Sequence, residues 1–202
     1  MNSESTNHSV EIASRQTKVI TIASGKGGAG KSLLTLALSQ LINDAPVFNS
    51  CVIIDLDFHV KGLTLLWYSD LSLLENEKWS IYDLLMREGA LPTEWPLVKS
   101  SASIVIPSYQ RVREPLDYDS ISQMSFDHIS KGLSTLLTSL DGKADFVLID
   151  TRAGIDSFSL AASLMADLTI IVSEQDRISY RACFDLQSQI MIRAKEQQQR
   201  QN

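Results

Sequence analysis

The chemistry most directly readable in this chain lies in eight consecutive residues, Gly25-Lys26-Gly27-Gly28-Ala29-Gly30-Lys31-Ser32. Gly25, separated by four residues from Gly30-Lys31-Ser32, fits the glycine-rich loop that cradles nucleotide phosphates between a strand and a helix. Glycines reach backbone conformations closed to other residues, so successive amides can turn toward phosphate oxygens, and the positive end of the following helix adds to the attraction. Lys31 is placed to neutralise the β and γ phosphates, and the Ser32 hydroxyl to ligate magnesium, a hard cation that shares phosphate oxygens. The phosphate-contacting stretch is read as Gly25, Lys26, Gly27, Gly28, Ala29, Gly30, Lys31, Ser32 and Leu33.

Three aspartates complete the set. Asp55 and Asp57 follow the apolar run Cys51 to Ile54, and Asp150 follows Phe146 to Ile149. Carboxylates leaving a sheet at the carboxyl ends of its strands stand where ligands of open α/β sheets bind. The metal ligands are read as Ser32, Asp55 and Asp150, with Asp150 holding the magnesium shell through water. Phosphoryl transfer depends on positioning and charge neutralisation more than on covalent chemistry. One carboxylate, one magnesium ion and two lysines are therefore a sufficient set of parts.

The elements that must position these groups follow from hydrophobic patterning. Five apolar runs recur, at Val19 to Ala23, Cys51 to Ile54, Ile104 to Ile106, Phe146 to Ile149 and Leu168 to Val172. They are nearly continuous, as strands covered on both faces require. Between them, Leu34, Ala37, Leu38, Leu41 and Ile42 repeat at helical spacing, as do Ile129, Leu133, Leu136, Leu137 and Leu140, and then Phe158, Ala161, Ala162 and Met165. Alternating strands and helices predict an α/β fold of three layers, a mostly parallel sheet flanked by helices. The segment from Ser69 to Val98 is less regular, punctuated by Pro92 and Pro96, with a short helix expected from Ile81 to Glu88. Residues 1–16 are expected to be a flexible tail, 17–193 the single domain, and 194–202 a polar, Gln-rich tail running on or fraying from a helix that begins near Arg177.

Composition agrees with one soluble domain of 202 residues, 44% apolar and 21% charged. A net charge of -6 gives no support to a surface dominated by nucleic acid, while leaving a local basic patch open. Cys51 and Cys183 have no metal-site spacing and read as structural thiols in a reducing cytoplasm. No secretory leader and no membrane span are expected.

The run Lys26-Gly27-Gly28-Ala29-Gly30-Lys31-Ser32 resembles the deviant Walker A box of the MinD/ParA family of P-loop ATPases, a branch of the SIMIBI class. Asp55-Leu56-Asp57, followed by a loop containing Gly62, is similar to that family's first switch. Phe146 to Gly154 is similar to its Walker B strand and second switch. The match runs over roughly residues 18 to 185.

The resemblance implies ATP and Mg2+ as ligands, slow ATP hydrolysis, and an ATP-dependent homodimer in which Lys26 reaches the partner's nucleotide. It gives Asp57 the role of orienting the attacking water, so that Lys26, Lys31 and Asp57 form the catalytic set. The protein would be a switch that positions or regulates a DNA or protein cargo. A nucleotide-binding scaffold without turnover, or a P-loop enzyme acting on a small metabolite, are the competing classes.

Two places depart from the family pattern. Phe58-His59 stands where partition members usually carry Pro-Gln, and His59 is either a switch residue or a solvated loop side chain. Arg152 stands in a loop where members commonly read Asp-Thr-Pro-Pro-Gly or Asp-Thr-Ala-Ala-Gly; it would sense γ-phosphate, contact a partner or pair with Asp156. Surfaces able to read out the switch state are the last helix, with Arg177, Arg181, Arg193, Lys195 and Arg200, and the region of Trp67, Trp79 and Trp95. A solvated charged face and core tryptophans are their ordinary readings.

Overall fold

Each apolar run becomes a strand because its side chains find cover on both sides. The computed structural model describes residues 16–48, 50–76, 80–86, 103–111 and 114–201, the last two by their backbone alone. The strands are β1 (Lys18–Ala23), β2 (Cys51–Asp55), β3 (Ile104–Ile106), β4 (Phe146–Asp150) and β5 (Leu168–Ile171). They form one parallel sheet in the order β3-β2-β4-β1-β5. β1 pairs with both β4 and β5, with Ile22 opposite Asp150, and β2 pairs with β4, with Asp55 opposite Asp150. The carboxyl ends of β1, β2 and β4 thus lie side by side.

Helices fill the connections: α1 (Lys31–Asp44), α2 (Gly62–Trp67), α3 (Leu71–Glu75), α4 (Ile81–Met86), α5 (Tyr118–Ser122), α6 (Phe126–Leu140), α7 (Ser157–Met165) and α8 (Arg177–Gln201). Alternate strand residues feed two cores. Val52, Ile54, Val147 and Ile149 pack with Ile129, Leu133, Leu136, Leu137 and Leu140 of α6 and with α7. Ile22, Cys51, Ile53 and Leu148 pack with Leu63 and Leu74 and with Leu34, Leu38 and Ile42 of α1. The period-2 alternation of a strand delivers this division. The five apolar positions of α6 are all buried, as their spacing predicts. Full burial of each such side chain is worth about 1.5–3 kcal/mol.

Several expectations meet the structure at their edges. Thr17 is buried, its amide donating to Asp141 Oδ1 at 3.0 Å and its hydroxyl to the Ala144 carbonyl at 2.6 Å, so the chain is anchored just before β1. Residues 1–15, most of the expected tail, lie outside the described residues. The segment read as a polar tail, 194–202, continues in α8 as far as Gln201. The short helix expected from Ile81 to Glu88 is present as Ile81–Met86, with the following residues outside the described ones, as are Trp79, Pro92, Trp95 and Pro96. Trp67 is 39% exposed at the end of α2 rather than a core anchor. Among the described residues no helix is long and apolar enough to cross a membrane.

Candidate functional site

β1 ends at Ala23, and the chain turns through Ser24 to Gly30 before α1 begins at Lys31. Gly28 and Gly30 have φ of 85° and 89°, the left-handed region where a side chain is strained. The Cβ positions of Gly27 and Gly30 meet nothing within 4 Å, so the loop opens onto free space. Gly30 caps α1 without a side-chain hydrogen bond, and the amides of the first helical turn remain available to an anion. That is a fitting cradle for phosphate.

Gly25 does something different. A Cβ there would lie 2.2 Å from the Ala182 carbonyl carbon and 2.5 Å from the Cys183 amide nitrogen. The first glycine of the loop is therefore needed for close approach by the backbone of α8, which seats that helix against the loop.

Lys31 is 8% exposed and donates to Ser24 Oγ at 3.1 Å, while Ser24 Oγ donates to the Lys26 carbonyl at 2.7 Å. Ser32 Oγ donates to Asp150 Oδ2 at 2.6 Å, and Thr35 Oγ1 lies 3.4 Å from Asp150 Oδ1. The loop hydroxyl and the carboxylate at the end of β4, 118 positions apart, are thus already joined. Burial pushes the Asp150 carboxyl up to about 7; the Ser32 hydrogen bond opposes this, Asp55 adds to it and Lys31 opposes it. A divalent cation would favour the ionised form, so the donor set suits magnesium. Among the described residues no three His, Cys, Asp or Glu side chains converge as an all-protein cage. A magnesium ion here would complete its shell from phosphates and water.

Asp55 is fully buried, and burial raises its carboxyl to about 6 against hydrogen bonds from Thr64 and Asp57. Its Oδ2 accepts from Thr64 Oγ1 at 2.6 Å and the Thr64 amide at 2.9 Å, and its Oδ1 accepts from the Asp57 amide at 2.9 Å. These bonds tie the end of β2 to α2 and shape the loop between them. Asp57 Oδ1 accepts from the amides of His59 and Val60, both at 3.1 Å, which curls the same loop. Lys61 then adopts φ 54°, a costly conformation for a residue with a side chain, as it starts α2. The loop after β2 is held in a strained turn by two aspartates.

Lys26 is held from the far side of the loop. Its Nζ donates to Glu174 Oε2 at 2.8 Å and lies 3.5 Å from Asp176 Oδ2. Asp176 also accepts from the amides of Ile178 and Ser179, at 2.9 Å each, at the start of α8. Sequence reasoning passed over both carboxylates. The signal available was their place soon after β5, a strand whose carboxyl end lies beside that of β1, where the loop begins.

The structure thus brings Lys26, Lys31, Ser32, Asp55, Asp57 and Asp150 to one end of the sheet. Arg152 is exposed and forms no ion pair with Asp156 or with any other described carboxylate. His59 is exposed, its ring 5.0 Å from that of Tyr118. Both cysteines are free and buried, and burial pushes the Cys51 thiol up to about 12.

A family model described as an AAA domain matches residues 17–201. The chain is similar to the septum site-determining protein MinD of Buchnera aphidicola, 25% identical over 170 residues, covering 82% of this chain and 56% of that protein. It spans about half the length of the curated relatives it matches. Among solved structures it is similar to a plasmid partition protein from Borrelia burgdorferi bound to AMPPNP, with a TM-score of 0.68 and 26% identity over 89% of this chain and 70% of that one. MinD from Pyrococcus horikoshii, complexed with Mg-ADP, shares the fold at a TM-score of 0.65 and 21% identity, over 88% of this chain and 66% of that one. With the sheet order, the open glycine loop and its serine joined to the carboxylate of β4, the chain belongs to the AAA-domain family, as a P-loop ATPase of the MinD/ParA type.

Proposed function

We propose that this chain binds Mg-ATP at residues 25–33, hydrolyses it slowly, and alternates between a monomer and an ATP-bound homodimer that positions or regulates a DNA or protein cargo. The carrying observation is the 2.6 Å bond from Ser32 to Asp150 beneath a glycine loop open to solvent. The nucleotides in the Borrelia and Pyrococcus structures support the same reading by likeness.

In this reading the amides from Gly27 to Leu33 receive the phosphates and Lys31 leaves Ser24 to neutralise them. A magnesium ion, when bound, would supply charge neutralisation to the phosphates. Ser32 would hold it by a direct oxygen, and Asp150, with Asp55 beside it on β2, would orient its water shell. Asp57 orients the attacking water, and its turn bonds to His59 and Val60 make the loop responsive to that work. Lys26 leaves Glu174 to reach the nucleotide of a second copy. The cytoplasm is the compartment proposed.

Phosphate release from Mg-ATP, measured beside calorimetric ATP binding, tests this for the wild type, Lys31→Ala and Asp57→Ala. Slow release by the wild type, loss of binding in Lys31→Ala, and binding without release in Asp57→Ala are expected. Wild-type binding with no release at all would replace this reading with that of a nucleotide-dependent scaffold, which the engagement of Lys26 by Glu174 favours.

A further inference from the structure

The residues at which the two loops depart from the resembled pattern, Phe58, His59 and Arg152, line one cavity of about 260 Å³. Leu56 and Phe58 come from the loop after β2, Arg152 and Phe158 from the segment after β4, and Ile121 from α5. Phe58 and Phe158 meet at 5.2 Å between ring centroids, and the Leu56 amide donates to the Asp150 carbonyl at 2.9 Å, so the two loops share one apolar floor. Leu56, Phe58, Ile121 and Phe158 are all buried.

The rim is polar and unequal in charge. Arg152 stands exposed without an ion-pair partner among the described residues. Asp156, also on the rim, is engaged as the N-cap of α7, its Oδ1 accepting from Ser159 N at 2.7 Å, where the helix dipole offsets its charge. Arg152 is thus the uncompensated group above an apolar floor. The cavity is below the roughly 300–1,000 Å³ of clefts that enclose whole small molecules. It has the scale of a socket for a single anchoring side chain, the unit that dominates protein recognition.

We infer that this cavity is a docking site for a peptide segment of a partner protein, one that inserts a Phe, Leu or Met side chain onto Phe58 and Phe158 and presents a neighbouring carboxylate to Arg152. The net charge of -6 repels an acidic segment at long range, so the attraction is local to Arg152. Because Phe58 and His59 follow Asp57 and Arg152 follows Asp150 in the chain, the occupant prefers one arrangement of these two loops. Occupancy and nucleotide state are then coupled in both directions, a coupling that rests on the function proposed above.

The test is fluorescence anisotropy with short labelled peptides carrying Phe, Leu or Met beside Glu, against matched peptides with Ala for the apolar residue or Lys for Glu. Wild-type protein should bind the acidic apolar peptides alone. Arg152→Glu should weaken them about tenfold or more and turn the preference toward the Lys peptides. Ser122→Trp, which fills the mouth of the cavity, should abolish binding while thermal unfolding and binding of a fluorescent ATP analogue stay native. Peptide binding that ignores charge, or no binding by natively folded wild type, overturns the docking site. Growth in mass of the wild type with concentration, without peptide and lost in Ser122→Trp, overturns it in favour of a second copy of this chain. Peptide binding indifferent to the ATP analogue, while the analogue itself binds, overturns the coupling and leaves the docking. Failure of the analogue to bind at all strikes the proposed function instead.

Discussion

Lys26 Nζ donates to Glu174 Oε2 at 2.8 Å, pinning the distinguishing lysine of the phosphate loop to the segment that leads into α8. The Glu174 hydrogen bond, with the charge of Asp176, raises the Lys26 ammonium above its usual value against partial desolvation. A carboxyl oxygen of Glu174 also lies 3.8 Å from where a Cβ of Gly28 would be, so this acid stands over the loop itself. A lysine that must reach a second copy has first to leave this pair.

Glu174→Gln removes the charge and keeps the shape. The ATP-bound dimer should then form at about threefold lower protein concentration, because an exposed pair contributes modestly. Raising ionic strength should mimic the change in the wild type and do little in the variant. Sedimentation velocity with a non-hydrolysable ATP analogue reads both effects, and equal dimerisation of the two proteins would discard Glu174 as a restraint.

Gly25→Ala places a methyl group 2.2 Å from the Ala182 carbonyl carbon, and a helix backbone cannot yield as a side-chain tip does. α8 must move away from the loop. The expected cost is about 1–3 kcal/mol in urea unfolding, as for other overpacked sites, together with weaker nucleotide binding. An unchanged unfolding midpoint would show that α8 does not lean on Gly25 in solution.

Asp176 provides a pH dependence. Hydrogen bonds from the Ser179 hydroxyl and amide, then the charge of Lys26 and the Ile178 amide, hold its carboxyl near 2, below the usual value of about 3.9. Folding favours the ionised form, so its contribution is whole above about pH 4 and is lost as pH falls toward 2. Asp176→Asn should therefore melt below the wild type at neutral pH, with a gap that closes between about pH 4 and 2. Circular dichroism melts across that window check it, and a gap that stays constant or widens in acid contradicts the assignment.

The sequence made some of this site legible and hid the rest for physical reasons. Strand positions were readable because doubly covered strands are continuously apolar, and the one run at Ile104–Ile106 fell where the structure has it. The order β3-β2-β4-β1-β5 was not readable, since apolar runs carry no record of which neighbour they pair with. Local chemistry announced Lys31, Ser32, Asp57 and Asp150. The pairing of Lys26 with Glu174 spans 148 positions and has no local signature. The hydrogen bonds that join Asp55 to Thr64 and Asp57 are also not revealed by sequence spacing alone. The close approach of α8 to Gly25 was likewise hidden, because a motif glycine looks the same whether it faces a phosphate or a helix.

The central claim, a nucleotide-dependent change of assembly, is tested most directly by the solution mass of Asp57→Ala from light scattering, with and without Mg-ATP. The account predicts a mass near 22.4 kDa without nucleotide and twice that with Mg-ATP, because binding persists when hydrolysis is lost. A mass that stays at the monomer value while calorimetry shows ATP bound would contradict it.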